Sequence, residues 1–417
     1  MTDEKIFPIS KRHFYIALVL FILLMKASFF TRTPTDWDEG VYLYLAQNMG
    51  WLFDNYSLKG SLFERELLHN VYSSPVFHHP PLIPYLIKTV SVGMPPEAAA
   101  KLVNFGFIFL SFFLVYNISS KLAGSRSAYM ATVLWALCPV FNLESNLIHL
   151  DFPCTVLMLA GIWCYLCFHE NPSQNGFLFL SAAGFASAML VKFTAPVYIL
   201  VPLSFIAADR ELRNRKAVLL YIGILFTGFA WWFYIIFKLG SLIPNEFFGS
   251  SGGQSFSSPY LKSISKRHWY HVWLYFTAIC PLFIVYLYGI IKYAVSRIRN
   301  PETFRDSPFN IRILAAVNIS LIVSTFAFNI MNAYSNGYWI LRHNLPIFPI
   351  IYITVAYITR LIFDEKNKII NAYFIVFIFL NMVLMSFSTL ITMLNQTTLK
   401  AVPAIFFWIP GAARFFY

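Results

Sequence analysis

Long apolar runs, separated by short polar stretches that carry most of the charge, set the pattern of this chain. The runs are continuous, with no alternation of period two, so they predict helices and exclude the strands of a membrane barrel. A helix needs roughly 20 mostly apolar residues to cross a bilayer. About eleven segments approach that length: residues 14–30, 98–119, 128–143, 152–168, 177–190, 195–208, 218–237, 272–293, 313–330, 345–362 and 369–390. The connection over 31–96 is long and mixed. Within it Tyr42, Leu45, Ala46 and Met49 recur at helical spacing, which predicts an amphipathic helix along the interface over 42–53. The Pro80-Pro81 pair stops one element and starts another, and 82–92 is too short to span. The expected fold is therefore all-α: a polytopic transmembrane helix bundle of about eleven spans, with juxtamembrane helices in the first outer loop.

Charge gives the bundle an orientation. Lys5, Lys11 and Arg12 precede the first apolar segment, and no small-residue cleavage site follows it, so it is expected to stay as an anchor. With the N-terminus in the cytoplasm, alternate loops collect Lys121 and Arg126, then Arg210, Arg213, Arg215 and Lys216. They continue with Lys292, Arg297, Arg299, Arg305 and Arg312, and end with Arg360, Lys366 and Lys368. That bias is the positive-inside pattern. Residues 31–96, 239–271 and 332–343 then face outward, together with a short tail over 391–417, and residues 1–390 read as one transmembrane catalytic unit.

Composition agrees. Of 417 residues 58% are hydrophobic and 12% charged, with a mean hydropathy of +0.62, more apolar surface than a soluble core would hide. The net charge of +12 is spread over membrane loops, which suits anionic membrane lipid and not nucleic acid. All five cysteines fall in apolar segments and read as core residues, and the CxxC of Cys164 and Cys167 has no matching second pair for a metal.

The unusual chemistry gathers on the outer side. Asp38 and Glu39 sit side by side in Pro34-Thr35-Asp36-Trp37-Asp38-Glu39-Gly40-Val41-Tyr42. His78-His79-Pro80-Pro81-Leu82 follows with Tyr85, then His149-Leu150-Asp151 at the mouth of a span, Lys192 just past another, and Arg342-His343-Asn344-Leu345-Pro346 entering a late helix. Singly each has a plain explanation. An aspartate at a helix start is most often an N-cap, and Lys192 or Arg342 at a membrane edge can simply snorkel. Asp38, Glu39, His78, His79, His149 and Asp151 are all metal donors by type, but no fixed helical spacing joins them, so a divalent metal is the lesser alternative to a site without one.

Taken in order, these residues resemble the GT-C membrane glycosyltransferases of the protein O-mannosyltransferase and lipid A aminoarabinose transferase superfamily. The match lies in an Asp-Glu pair in the first outer loop with Tyr42 and Ala46 after it, Pro80-Pro81-Leu82 before the second span, Asp151 opening the fourth and Lys192 after the fifth. Two positions depart from the aminoarabinose transferases: His79 stands where a lysine before the prolines is common, and Val41 where an arginine precedes the loop tyrosine. Larger members carry a soluble outer domain near the C-terminus, for which 391–417 is too short.

The resemblance implies an inverting glycosyltransferase in the bacterial inner membrane, moving a sugar from a polyprenyl-phosphate donor to a lipid, glycan or protein acceptor outside. The chemistry of that transfer makes Asp38 the expected base, with Glu39 and Asp151 as its catalytic neighbours, and Tyr42, His78, His79, Tyr85, Lys192, Lys266, Arg267 and Arg342 as the outer-side candidates around the substrate. No cofactor is expected to be required. The competing expectation is a secondary transporter or flippase for an anionic or polyprenyl-linked lipid.

Overall fold

The computed structural model describes residues 11–31, 33–34, 37–52, 55–61, 79–209, 212, 216–239, 282–299, 309–336, 341–364, 376, 378–380 and 382–383. Among these residues the regular structure is entirely helical. In chain order the helices are α1 (Lys11–Thr31), α2 (Trp37–Asn48), α3 (Leu82–Val90), α4 (Pro96–Ala123), α5 (Ser125–Ala136), α6 (Pro139–Glu144) and α7 (Asp151–Glu170). They continue as α8 (Asn175–Val191), α9 (Leu200–Ala208), α10 (Ala217–Thr227), α11 (Ala230–Leu239), α12 (Phe283–Arg299), α13 (Phe309–Asn336) and α14 (Phe348–Asp364). Short 3-10 turns lie at Ser91–Gly93, Ala195–Ile199 and Leu341–Ile347.

Among the described residues four helical stretches, Pro96–Ala123, Asp151–Glu170, Phe309–Phe326 and Asn344–Ile362, are long and apolar enough to cross a membrane. Ala217–Thr227 and Ala230–Lys238 supply a fifth if the 46° bend between them lies within one span. The segment expected over 369–390 lies almost wholly outside the described residues, and so does the first half of 272–293.

Local sequence explains the ends and breaks. Pro96 occupies the first turn of α4 and Glu97 follows it, where a missing N–H does no harm and a negative charge meets the helix dipole. The helix stops at Gly124, whose φ of +85° favours glycine, and the Arg360 guanidinium lies where a β-carbon would go. The run over 128–143 is not one helix: Leu137 and Cys138 separate α5 from α6, because Pro139 lacks a donor and crowds the preceding turn. Pro139 opens α6 instead, and Cys138 Sγ accepts from Phe141 N–H at 3.5 Å.

Around α7, 78% of whose apolar window is buried, the other helices assemble. It packs on α4 and on α8, and the α8 contact is close because glycines face each other: a β-carbon on Gly184 would sit 2.8 Å from the Gly161 backbone nitrogen. Backbone cannot yield as a side chain can, so Gly184→Val is expected to exceed the usual overpacking cost of about 1–3 kcal/mol. The check is a lower thermal-unfolding midpoint of the detergent-solubilised protein, with Gly176→Val, where a β-carbon meets open space, as the neutral comparison. Polar pins hold other pairs. Trp135 Nε1 of α5 donates to Ser111 Oγ of α4 at 3.1 Å, and Asn318 of α13 donates to Thr354 Oγ1 of α14 at 3.0 Å.

Candidate active site

The two acidic neighbours part company. Both lie in the first turn of α2, where the helix dipole favours negative charge. Successive helical side chains point about 100° apart, so one turns inward and the other does not. Glu39 is fully buried, and its Oε1 accepts the Ile148 N–H at 2.8 Å. Asp38 is half-buried. The inward face of α2 also buries Tyr42, Leu45, Ala46 and Met49, the residues whose helical spacing marks this element in the sequence.

Asp151 is the first residue of α7, with Leu150 rather than Asp151 at the cap position. Its carboxylate forms an ion pair with Lys192, the residue that ends α8. Both are largely removed from solvent, with side chains 6% and 13% exposed. Two residues before Asp151, His149 Nδ1 lies 2.8 Å from Glu144 Oε2, and both side chains are buried. His149 stands out in the sequence, but Glu144 does not. The available signal was a glutamate inside the end of an apolar run, where an unpaired charge would be costly.

His79 is buried between two tyrosines. Tyr42 Oη lies 3.1 Å from its Nδ1, and Tyr56 donates to its carbonyl oxygen at 2.5 Å. Burial raises the Tyr56 phenol well above its ordinary range, which keeps it a donor. Its ring meets Trp231 of α11 edge to face at 5.4 Å. Tyr56 carried no signal beyond its type. Tyr85 faces the other way, donating to the Trp51 carbonyl, while Lys88 Nζ sits 5.2 Å from the Trp51 ring centroid.

α2 thus joins Tyr42 to His79 before α3 and Glu39 to Ile148 in the segment before α7, and the first residue of α7, Asp151, pairs with Lys192. The 3-10 turn Leu341–Ile347, which carries Arg342, packs on α6 and α7. His78, Lys266 and Arg267 lie outside the described residues, as does the side chain of Arg342. Among the described residues no three His, Cys, Asp or Glu side chains converge as metal ligands.

Residues 78–234 match the family model for dolichyl-phosphate-mannose-protein mannosyltransferase. A search of curated proteins found no match. Among solved structures, ArnT from Cupriavidus metallidurans bound to undecaprenyl phosphate superimposes over 92% of this chain and 72% of that one, at 15% identity and a TM-score of 0.54. The Archaeoglobus fulgidus oligosaccharyltransferase in complex with zinc and sulfate covers 89% of this chain at 14% identity and a TM-score of 0.53. This chain spans about half of that enzyme's length, 52%. An archaeal oligosaccharyltransferase of the same organism, AglB, solved in complex with an inhibitory peptide and a dolichol-phosphate, matches with 12% identity and a TM-score of 0.50 over 92% of this chain and 56% of that one. The resemblance read from the Asp-Glu and Pro-Pro-Leu motifs therefore holds in the architecture: the chain is an integral membrane protein whose described residues are helical, with the GT-C fold that ArnT and the archaeal oligosaccharyltransferase share.

Proposed function

We propose that the chain is an inverting glycosyltransferase that takes a sugar from a polyprenyl-phosphate donor and passes it to a lipid, glycan or protein acceptor on the extracytoplasmic face. The observation that carries this reading is the contrast within the acidic pair: Glu39 is buried on a backbone amide while Asp38, its neighbour, is half-buried in the first turn of α2. The family match over 78–234 and the undecaprenyl phosphate held by ArnT support the donor class.

In this reaction the acceptor hydroxyl attacks the anomeric carbon from the face opposite the phosphate. Its proton passes to an Asp38 carboxylate oxygen, the new C–O bond forms, and the bond to the carrier phosphate oxygen breaks. The leaving phosphate is already ionised at neutral pH. It therefore calls for fixed positive charge and not for a strong acid, a metal or another cofactor. Lys192, Arg342, Lys266, Arg267 and His79 are the cations and donors proposed for it, with Tyr42, His78 and Tyr85 near the sugar and Asp151 orienting Lys192. Mass spectrometry of polyprenyl-phosphate sugars and envelope glycans, in cells with and without the protein, is the test. Loss of one glycan with accumulation of one lipid-linked sugar is expected. Unchanged glycans with the lipid-linked sugar redistributed across the bilayer would favour a flippase instead.

The orientation has its own check. The Lys and Arg bias puts the N-terminus inside a bacterial inner membrane, with the site outside. A single cysteine at Ser61, in the first loop, is expected to react with an impermeant thiol reagent in intact cells lacking the native cysteines. One at Ser173, exposed between α7 and α8, is expected to react only after permeabilisation, and the reverse pattern would invert the topology.

A further inference from the structure

The 46° bend between Ala217–Thr227 and Ala230–Lys238 decides where Trp231 and Trp232, the second and third residues of α11, point. Its cause is local. Gly228 lies directly on the backbone of α8: a β-carbon there would sit 3.0 Å from Ala186 Cα and 2.6 Å from Met189 Cε. Across the join Gly228 N–H donates to the Leu225 carbonyl and Phe229 N–H to that of Phe226, each at 3.0 Å and three residues back instead of four. Phe233 N–H then reaches Phe229 at 3.0 Å, so the ladder resumes on a new axis.

Successive helical residues point about 100° apart, and the two tryptophans reach different neighbours. Trp231, 5% exposed, meets the Tyr56 ring edge to face at 5.4 Å, and Tyr56 Oη donates to the His79 carbonyl at 2.5 Å. Tyr234 of α11 stacks on the same indole at 5.2 Å. Trp232 stacks on Phe193, with ring centres 4.0 Å apart and planes at 22°. Phe193 directly follows Lys192, the extended residue that ends α8 and pairs with Asp151. The chain then turns at once, with Ala195 N–H donating to the Lys192 carbonyl at 3.0 Å. One dipeptide therefore meets, on one side, the tyrosine that holds His79 and, on the other, the residue next to Lys192.

Tryptophans at a membrane edge commonly lay their rings among the headgroups. These two are turned into the protein. Trp231 is buried, and Trp232 Nε1 is buried without a hydrogen-bond partner among the described residues. Paired rings of this kind hold a set orientation and contribute beyond the area they bury.

We propose that Trp231 and Trp232 are a positioning pair, carried by the bend at Gly228, that sets His79 and Lys192 at a fixed spacing from each other. Its consequence for a lipid phosphate rests on the glycosyltransferase reading above. The spacing itself does not.

Four variants of the full chain test this: Trp231→Leu and Trp232→Leu, which lose the ring contacts, and Trp231→Phe and Trp232→Phe, which keep them. Hydrogen exchange is expected to quicken about threefold or more at 193–195 in Trp232→Leu and at 56–58 in Trp231→Leu, the scale of one aromatic pair. Exchange in the middle of α4 should not change, and both phenylalanine variants should stay near wild type. Undecaprenyl phosphate, titrated as the probe, is expected to bind about tenfold more weakly to each leucine variant. In the Asp151→Leu, Lys192→Met background, Trp232→Leu is expected to add less than about twofold, because the lysine it positions is gone. Should a leucine variant fail to fold, Phe193→Leu and Tyr56→Leu break the same two contacts from the other side. Wild-type exchange in the leucine variants overturns the proposal, and so does exchange that quickens equally in α4. Unchanged affinity in the leucine variants of a chain that binds the probe also overturns it, as does a full tenfold loss in the lysine-free background, which would put the indole on the lipid itself. If exchange follows the expected pattern while the wild-type chain does not bind undecaprenyl phosphate, the pair still positions His79 and Lys192, and the donor reading falls.

Discussion

Asp38→Asn is expected to lower turnover about a hundredfold or more, the range for removing a general base, while donor binding and folding stay close to wild type. Asparagine has the same shape and still accepts hydrogen bonds, but takes no proton near neutral pH. Asp38 sits half-buried in the first turn of α2. Glu39→Gln is expected to behave differently. Its Oε1 holds the Ile148 N–H in a fully buried site, and an amide oxygen can keep that bond at reduced strength. The loss should then appear partly in the thermal midpoint and only partly in rate. Per-molecule turnover is the measurement, corrected for folded protein by undecaprenyl phosphate titration. Near-normal transfer by Asp38→Asn removes Asp38 from the chemistry, and a far larger loss in Glu39→Gln or Asp151→Asn moves the base there.

How much of this was legible in the sequence depends on the range of the interaction. Periodicity and prolines are local, so the helix after Asp38 and the break before α3 were readable from Tyr42, Leu45, Ala46, Met49 and Pro80-Pro81. The break between α5 and α6 was missed although Pro139 marks it, because a run of apolar residues hides a proline inside an apparent span. The split of Asp38 from Glu39 follows from helix geometry, but which of them turns inward depends on Ile148, far along the chain. Glu144 was signalled only by its charge inside an apolar run, and its partner His149 is met only once the turn after α6 has formed.

The last expected result separates two roles for Lys192. Removing one member of a buried ion pair typically destabilises a protein by about 3–5 kcal/mol, because the other charge is left in a poorly solvated site, whereas replacing both by apolar residues is often neutral. Asp151 and Lys192 fit that description, being largely shielded and joining the start of α7 to the end of α8. Lys192→Met alone and Asp151→Leu alone are each expected to lower the thermal midpoint strongly, and the double variant to recover most of it. Donor binding then discriminates. If Lys192 also holds the carrier phosphate, a charge-assisted bond worth about 1.5–3 kcal/mol is missing in the double variant. Affinity for undecaprenyl phosphate should then fall about ten- to a hundredfold although stability has returned. If the double variant binds like wild type, the pair is purely a tie between two helices, and the phosphate must be met by His79, Arg342 or the basic residues of the loop over 239–271. A His79→Lys variant distinguishes among these: with His79 in the phosphate site, lysine preserves or raises the affinity.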